Sequence, residues 1–425
     1  MLALLFAALV LVQPDTTDQP PTLEPPDFAP VPTLPAIPVA EEDTTGPGIV
    51  VRPRVAPSAL YSASRGFGVG AGVGIENLGA EGTEVGIDAR LSQRYQSIAL
   101  SAYTGDRYDE QVYGFVGVEA GTTSRRRYYG IGPYTGEDNR LFLDYGSIDA
   151  EARVGWYPLG HTGLFLQPGA RFLLDRLRDL EPDQPGALER LAETDPASLA
   201  AVRDPDVHQE TRYGVSLGLE VASDLRDWRA YPRRGTFVSV EGRRFFAMDG
   251  SGLRFNRLAA SSLGYLPIRG RTALVGRSTL VLTRADDQQD IPFYYLPVLD
   301  AQLLTAYPPD RFVGRDVLAL GGGIRFPIRD FIGVYGIDAL VMGYLGNAYN
   351  NVFDEFEPSI TFEPGAIEND GGAPLRPALG IGLGIVNLDK ERVVLGGLVG
   401  ISPEGISLAS LRIAYDLRDA RPLFR

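Results

Sequence analysis

Cysteine is absent from this chain of 425 residues. Its absence excludes disulfide bonds, thiolate metal sites and cysteine nucleophiles. Long apolar runs are missing as well, since none reaches the roughly 18 to 20 residues that a membrane-spanning helix requires. Lysine occurs once, at Lys390, so arginine supplies almost all of the positive charge. The formal net charge of -14 argues against nucleic acid as a partner.

Short segments with alternating polarity are the main structural signal in the sequence. In one of them Val238 and Val240 fall on one face, while Ser239, Glu241 and Arg243 fall on the other. A period of two residues predicts a β-strand, and the contrast between its faces means that the strand separates two environments. In a soluble sandwich these are core and water, whereas in an outer-membrane barrel they are lipid and a wet lumen.

The connections between the segments favour the barrel. Short turns at 267–270, 327–330 and 389–391 alternate with long polar connections at 286–315 and 347–374, as they do in bacterial barrels. The 50 glycines, 20 tyrosines and 19 phenylalanines suit tight wall packing and aromatic girdles. We predict an all-β fold, a transmembrane antiparallel β-barrel of about sixteen strands in the bacterial outer membrane. The second half of the strands is predicted to begin near Thr236, Leu253, Arg271, Asp316, Ile332, Leu375, Arg392 and Ile406.

Composition divides the chain into three parts. Residues 1–12 are apolar and are predicted to be a signal peptide. Residues 13–59 are rich in Pro and Asp and are predicted to be a disordered tether, with a Pro-rich docking segment as the alternative. Residues 60–425 are assigned to the barrel. Within them, 181–207 has helical spacing and is interpreted as a capping helix on the external rim or, alternatively, as a partner-binding element.

No arrangement of side chains in the sequence predicts catalysis. The two histidines, His161 and His208, lack a serine or cysteine nucleophile in a recognisable context and lack zinc-ligand spacing. We therefore expect no enzyme activity, no cofactor and no metal. The glycine run 70–74 is interpreted as the first strand of the barrel instead of a phosphate loop. The basic segment 125–127 is interpreted either as a solvated turn or as a ligand for lipid phosphate at the membrane rim.

Residues 224–236 (DLRDWRAYPRRGT), here called the periplasmic turn, combine an Asp-rich strand end with a following Pro-x-x-Gly. This motif looks like the periplasmic hairpin of the BamA/TamA superfamily of outer-membrane barrels, the bacterial surface-antigen family. Residues 292–315, here called the lumen loop, are similar to its sixth external loop, which folds back into the barrel. The segment 324–328 (IRFPI) looks like the strand that follows. The residues that the resemblance singles out are Asp224, Arg226, Asp227, Pro232, Arg234 and Gly235 in the periplasmic turn, Leu304, Thr305, Ala306, Tyr307, Asp310, Arg311, Phe312 and Gly314 in the lumen loop, and Arg325, Phe326 and Pro327 in the strand.

The chain departs from the family pattern at the tip of the loop. Thr305 and Ala306 stand where the family has Arg-Gly, and Tyr344 stands where a wall aspartate is expected. A buried carboxylate without its arginine costs several kcal/mol, so loss of both partners indicates that the ion pair is replaced. Arg311 is either a substitute plug or an exposed loop arginine. The tether is too short for a POTRA domain, so we expect a barrel that lacks one.

The resemblance implies a non-enzymatic role in protein or lipid translocation or in outer-membrane assembly. The alternative is a passive pore or a structural surface barrel. An outer-membrane lipase is a third class, disfavoured because no nucleophile–histidine pair is present. The expected partners are outer-membrane lipid, a polypeptide or lipid client, and a periplasmic or lipoprotein partner.

Overall fold

The computed structural model describes most of the chain beyond residue 51. The described residues are 52–62, 66–76, 78, 83–104, 112–158, 164–183, 185–194, 211–227, 231–286, 290–299, 304, 306–308, 310–331, 334–363, 372–388 and 392–414. The predicted signal peptide and nearly all of the predicted tether lie outside them. The chain divides into two units, Met1–Gly48 and Ile49–Arg425.

One large β-sheet accounts for most of the second unit. Its strands are β1 (Arg52–Ser62), β2 (Gly66–Glu76), β3 (Thr83–Ser92), β4 (Tyr95–Thr104), β5 (Val112–Tyr128), β6 (Leu141–Trp156), β7 (Leu164–Pro182), β8 (Thr211–Asp224), β9 (Gly235–Ala247), β10 (Arg254–Arg269), β11 (Thr272–Ala285), β14 (Asp316–Phe331), β15 (Tyr335–Tyr349), β16 (Phe356–Ile360), β17 (Ala373–Asn387), β18 (Arg392–Ser402) and β19 (Gly405–Ala414). A separate two-stranded sheet consists of β12 (Val298–Leu299) and β13 (Phe312–Val313). The helices are α1 (Ala187–Thr194) and α2 (Val352–Glu355), and 3-10 turns cover Glu137–Asn139 and Phe293–Tyr295.

The strands follow one another around the sheet in chain order. Of the seventeen strands, β16 alone among those described pairs in parallel, with β17, and the other sixteen are antiparallel. The first strand pairs with β2 on one side and with the last strand, β19, on the other. The second contact runs from Ser58 opposite Ala414 to Ser62 opposite Ser410 and is called the seam here. The predicted transmembrane antiparallel β-barrel of about sixteen strands is confirmed.

Alternation along the strands separates an apolar outer face from the lumen. On β2, Phe67 and Val73 are exposed, whereas Gly68, Gly72 and Gly74 are buried. The same outward exposure of large apolar side chains recurs around the wall, at Ile98, Val116, Leu217, Leu258, Leu274, Leu320 and Ile381. A transmembrane barrel faces lipid with such side chains. Within the described residues, no helix has the length and apolar character to cross a membrane.

The strand starts predicted in the second half of the chain agree with the structure to within three residues. The period-two pattern is strong there because large apolar residues alternate with glycine and with polar or charged residues. The predicted helical insertion is also present as α1, whose Ala187 and Leu191 are fully buried. They pack with Tyr128 of β5 and Phe293 of the lumen loop. The helix therefore covers the rim that carries the lumen loop.

Two assignments in the first half need correction. The first strand begins at Arg52, so residues 52–59 belong to the sheet and not to the tether. Pro53 and Pro57 made this segment resemble the Pro-rich tether, although the backbone there is paired with β2. Consequently the glycine run 70–74 lies in the second strand, not the first.

Candidate functional site

The lumen loop leaves the wall after β11 and returns at β14. Its base is closed by the pairing of β12 with β13, which places Leu299 opposite Phe312. The backbone N–H of Gly132, in the connection between β5 and β6, donates to the carbonyl of Val313 at 2.7 Å. The loop is therefore attached both to itself and to a neighbouring connection on the same rim.

Apolar side chains hold the tip of the loop against the wall. Leu304, Tyr307 and Phe312 are each at most 2% exposed, and the rings of Tyr307 and Phe312 meet edge to face with centroids 5.0 Å apart. They share one cluster with wall residues of β11, β14, β15 and β17, namely Val275, Val317, Ala319, Met342, Tyr344, Ala348 and Ala378. Full burial of one such side chain contributes about 1.5–3 kcal/mol. Tyr344, at the position where the resemblance implies an acid, thus packs with the apolar tip.

The hydroxyl of Tyr307 makes the polar contact at this tip. It donates to the carbonyl of Pro377 at 3.2 Å. Burial raises the pKa of Tyr307 to about 12, so the hydroxyl stays protonated and keeps this bond at physiological pH.

Arg311 is the charged anchor of the loop, and its burial excludes the exposed alternative. Its Nη1 donates to Oγ1 of Thr135 at 2.7 Å, and its Nη2 donates to the Thr135 carbonyl at 2.6 Å. Nη2 and Nε also lie 3.2–3.3 Å from the carboxylate of Glu404, in the turn between β18 and β19. Nη1 of Arg376 lies 3.8 Å from the same carboxylate. Arg311 therefore joins three elements, the lumen loop, the β5–β6 connection and the last hairpin.

The structure brings most of the predicted lumen-loop residues together. Leu304, Ala306, Tyr307, Arg311, Phe312 and Gly314 are buried. Asp310 lies nearer the surface and forms an ion pair with Arg126 of β5 at 3.3 Å. Thr305 lies outside the described residues, as do His161 and His208.

A glycine in the wall gives the loop room to approach. A Cβ atom on Gly400 of β18 would lie 2.3 Å from the backbone nitrogen and 2.6 Å from the Cα of Ala306. These distances are far below van der Waals contact, so the loop backbone touches the wall only because residue 400 has no side chain. The resemblance did not single out Gly400, Thr135, Glu404 or Arg376.

The periplasmic turn, on the opposite rim, is ordered by two aspartates. The carboxylate of Asp224 accepts two bonds from the guanidinium of Arg226, at 2.8 and 2.7 Å. Oδ1 of Asp227 accepts from the backbone N–H groups of Arg233 and Arg234 at 2.9 and 3.2 Å. Gly235 has φ of +96°, and a Cβ there would lie 2.1 Å from the Leu225 carbonyl oxygen. The local sequence thus fixes the reversal into β9.

The periplasmic turn also reaches the lumen wall on β14 and β15. The hydroxyl of Tyr231, which is 2% exposed, donates to the carboxylate of Asp338. The guanidinium of Arg325 lies over the Tyr231 ring at 3.9 Å and donates to the Pro232 carbonyl. Nη2 of Arg271 lies 3.2 Å from Asp338. Of the predicted residues on the following strand, Arg325 makes these contacts, while Phe326 and Pro327 are paired with β15 beside a β-bulge.

Ionised side chains line the wall between these two anchored elements. Arg243 of β9 lies 3.1 Å from Glu151 of β6, and Glu151 also pairs with Arg153 at 2.6 Å. Arg243 pairs further with Glu241 at 2.6 Å. Since β6 and β9 are not adjacent in the sheet, the first of these pairs bridges the inner surface. Within the described residues, no group of three or more acidic or histidine side chains is arranged to hold a metal ion.

Removal of the carboxylate at residue 404 is expected to loosen the lumen loop. Glu404→Gln leaves the buried Arg311 guanidinium without its countercharge. This is expected to destabilise the folded-in position of the loop by about 3–5 kcal/mol. We expect a larger single-channel conductance in planar bilayers than that of the unchanged protein, and Arg311→Ala should act in the same direction. The control is Arg315→Gln, because Arg315 pairs with the 85%-exposed Asp290, and exposed pairs contribute only about 0–1 kcal/mol. Equal conductance in all variants would contradict this account.

A side chain at residue 400 is expected to displace the loop backbone. Gly400→Ala forces Ala306 away from β18, so the arginines of the loop should be cut severalfold faster by trypsin added to the outside of proteoliposomes. The matched control is Gly276→Ala on β11, where an added Cβ meets nothing within 4 Å. If both variants are cut at the same rate, the contact at Gly400 does not hold the loop.

Comparison with known proteins supports a fold assignment. No protein-family profile matches the chain, and neither does any curated protein sequence. The structure is similar to that of BamA from Haemophilus ducreyi lacking POTRA domains 1-3, with a TM-score of 0.58 and 13% identity, covering 85% of this chain and 70% of that one. It is also similar to CdiB from Escherichia coli, with a TM-score of 0.51 and 9% identity, covering 85% of this chain and 63% of that one, less than two thirds of its length. The chain has the fold of these outer-membrane β-barrels.

Proposed function

We propose that this protein acts without catalysis in translocation or outer-membrane assembly, moving or inserting a polypeptide or lipid through its lumen or its seam. The observation that carries the proposal is the attachment of a folded-in element to the wall at each rim. The lumen loop is anchored by Arg311 on one rim, and the periplasmic turn is anchored by Tyr231 on the other. Two such elements obstruct a passive pore, whereas they can close a barrel that opens only for a client.

The position of the ionic anchor supports a role for the seam. Glu404 lies in the turn that leads into β19, and β19 forms the seam with β1. The lumen loop is therefore bonded to the hairpin that contains one side of the seam. A displacement of this hairpin changes the Arg311–Glu404 contact, so loop release and seam opening are mechanically linked.

The composition of the strands near the seam supports a deformable wall. Glycines occupy the lumen face of β2, and Gly380, Gly382 and Gly384 occupy that face of β17. Glycine within a strand leaves no side chain to pack and weakens it. These strands lie close to the seam on either side, where a client would enter the membrane.

A disulfide across the seam provides the test, and the absence of native cysteine makes the chemistry specific. We would reconstitute the protein in liposomes, add a denatured eight-stranded outer-membrane barrel as client, and follow its folding by heat-modifiable migration. The protein should accelerate client folding over protein-free liposomes. Ser62→Cys with Ser410→Cys, which are register partners in the seam, should abolish the acceleration when oxidised and restore it when reduced.

The matched control joins two adjacent strands away from the seam. Ser262 and Ser278 are register partners on β10 and β11, and their hydroxyl oxygens are 2.8 Å apart. The oxidised Ser262→Cys, Ser278→Cys variant should retain full acceleration. No acceleration by the unchanged protein, together with a large and steady conductance, would replace the proposal with the passive pore. Acceleration that survives oxidation of the seam would reject a role for the seam and leave the lumen as the route.

A further inference from the structure

We propose that the outer wall beside the β3–β4 turn binds the phosphate of an anionic lipid in the outer leaflet. The site is formed by Arg94, Arg125 and Arg127, here called the arginine cluster. It lies on the rim that carries the lumen loop, because Arg126, between the last two, pairs with Asp310 of that loop.

A bulge in β5 turns two of the arginines outward. The register between β5 and β6 shifts between Thr123 and Arg126, and Arg125 has φ of 55°. The backbone N–H of Arg125 donates to Oδ1 of Asp144 at 2.9 Å. The side chain of Arg126 contacts Asp310 of the lumen loop, whereas Arg125 and Arg127 lie on the outer face of the strand. The guanidinium of Arg125 lies over the Phe142 ring at 4.3 Å, and Arg127 is the register partner of Phe142.

The β3–β4 turn brings the third arginine beside this bulge. The carbonyl of Arg94 accepts from the backbone N–H of Ser124 at 2.8 Å. Burial, followed by the charges of Arg127 and Arg125, lowers the pKa of Arg94 from its usual value. The positive charges of Arg125 and Arg127 therefore act on Arg94 across this turn.

The cluster carries more positive charge than its surroundings neutralise. Among the described residues, none of its three guanidinium groups forms an ion pair with a carboxylate, and the nearby Asp144 accepts a backbone N–H instead. Nε of Arg127 is buried and lacks a hydrogen-bond partner. Like charges held together in this way are stabilised by a bound anion. Guanidinium groups match phosphate in particular, through paired N–H bonds.

The depth of the cluster matches a lipid headgroup. Gln96 and Thr122 are register partners on β4 and β5. The next two pairs on the outer face, further from the rim, are Ile98 opposite Ala120 and Leu100 opposite Val118. Ile98 and Leu100 are 57% and 52% exposed. On β4 and β5 the outer face thus changes from polar to apolar over one step of two residues, about 7 Å, whereas on β3 the apolar face extends one pair further, to the exposed Leu91 opposite Gln96. The arginine cluster lies directly above this edge, where the headgroups of the outer leaflet begin.

A small polar cavity adjoins the cluster and offers further hydrogen-bonding groups. Its volume is about 130 Å³, and it is lined by residues that include Ser92, Arg94, Gln96, Thr122, Ser124 and Asp144. The hydroxyl of Ser92 donates to the Tyr95 carbonyl, and the carboxylate of Asp144 accepts the backbone N–H of Arg125. The Gln96 amide and the hydroxyls of Thr122 and Ser124 are the donors that the cavity offers, beside Arg94, to a phosphate whose acyl chains rest on the apolar wall below. The occupant is therefore a phosphate-bearing lipid of the outer leaflet and not a soluble anion.

Lipid binding by a charge-depleted variant tests this site. The variant is Arg94→Gln with Arg127→Gln, and Arg125 is left in place because of its positive φ. Native mass spectrometry in detergent would titrate each protein with a phosphate-bearing acylated sugar lipid, its dephosphorylated form, and inorganic phosphate alone. We expect at least about tenfold weaker binding of the phosphorylated lipid by the variant, since two of the guanidinium groups that would donate charge-assisted bonds to the phosphate are removed. Binding of the dephosphorylated lipid should be weak and equal in both proteins.

The control removes the same charge from the opposite rim. Arg269 and Arg329 are exposed at the ends of β10 and β14, so Arg269→Gln with Arg329→Gln should bind the phosphorylated lipid like the unchanged protein. Heat-modifiable migration would confirm that both variants fold. The proposal is overturned if the two variants bind alike, if the dephosphorylated lipid binds as tightly as the phosphorylated one, or if inorganic phosphate alone binds as tightly as the lipid.

Discussion

The buried charge of Arg311 is the constraint on which the arrangement of the outer rim depends. A guanidinium that is fully shielded from water must find a carboxylate and enough acceptors, or the loop that carries it does not remain inside. Glu404 provides the countercharge, and Thr135 provides two acceptors. Satisfying this one group fixes three connections relative to one another. The apolar tip packs against β11, β14, β15 and β17 in the same arrangement.

The two anchors of the lumen loop differ in their physical character. The apolar cluster has no directional requirement and tolerates small shifts, because its stability follows the area removed from water. The ionic anchor is directional, since a displacement of about 1 Å breaks its hydrogen bonds. The apolar tip of the loop therefore keeps its contact with the wall when small shifts occur. The contact of Arg311 with the last hairpin is lost when the hairpin moves by about 1 Å.

The sequence predicted the elements of the fold much better than the contacts between them. The strands of the second half follow from a period of two, and the reversal at Gly235 follows from a local motif. Helix α1 was likewise visible as a local change of period. The assignment of 52–59 to the tether was wrong because the two prolines in β1 match the Pro-rich composition of the preceding segment. All of these signals, whether correct or misleading, lie within a few residues of the position that they describe.

The partners in the site are separated by much longer stretches of chain. Thr135 is 176 residues from Arg311, Glu404 is 93 residues away, and Tyr231 and Asp338 are 107 residues apart. Barrel closure and loop folding bring them together, and no local pattern in one chain encodes either. Thr305 and Tyr344, at positions where the resemblance implies an arginine and an acid, predicted that an ion pair there is replaced, but they did not predict which residues form a pair. The Arg311–Glu404 pair joins the loop to the hairpin that carries the last strand, so under the proposed function opening of the seam displaces one end of this pair. An ion pair to an interior wall strand such as β15 would have held the loop in place whatever the state of the seam.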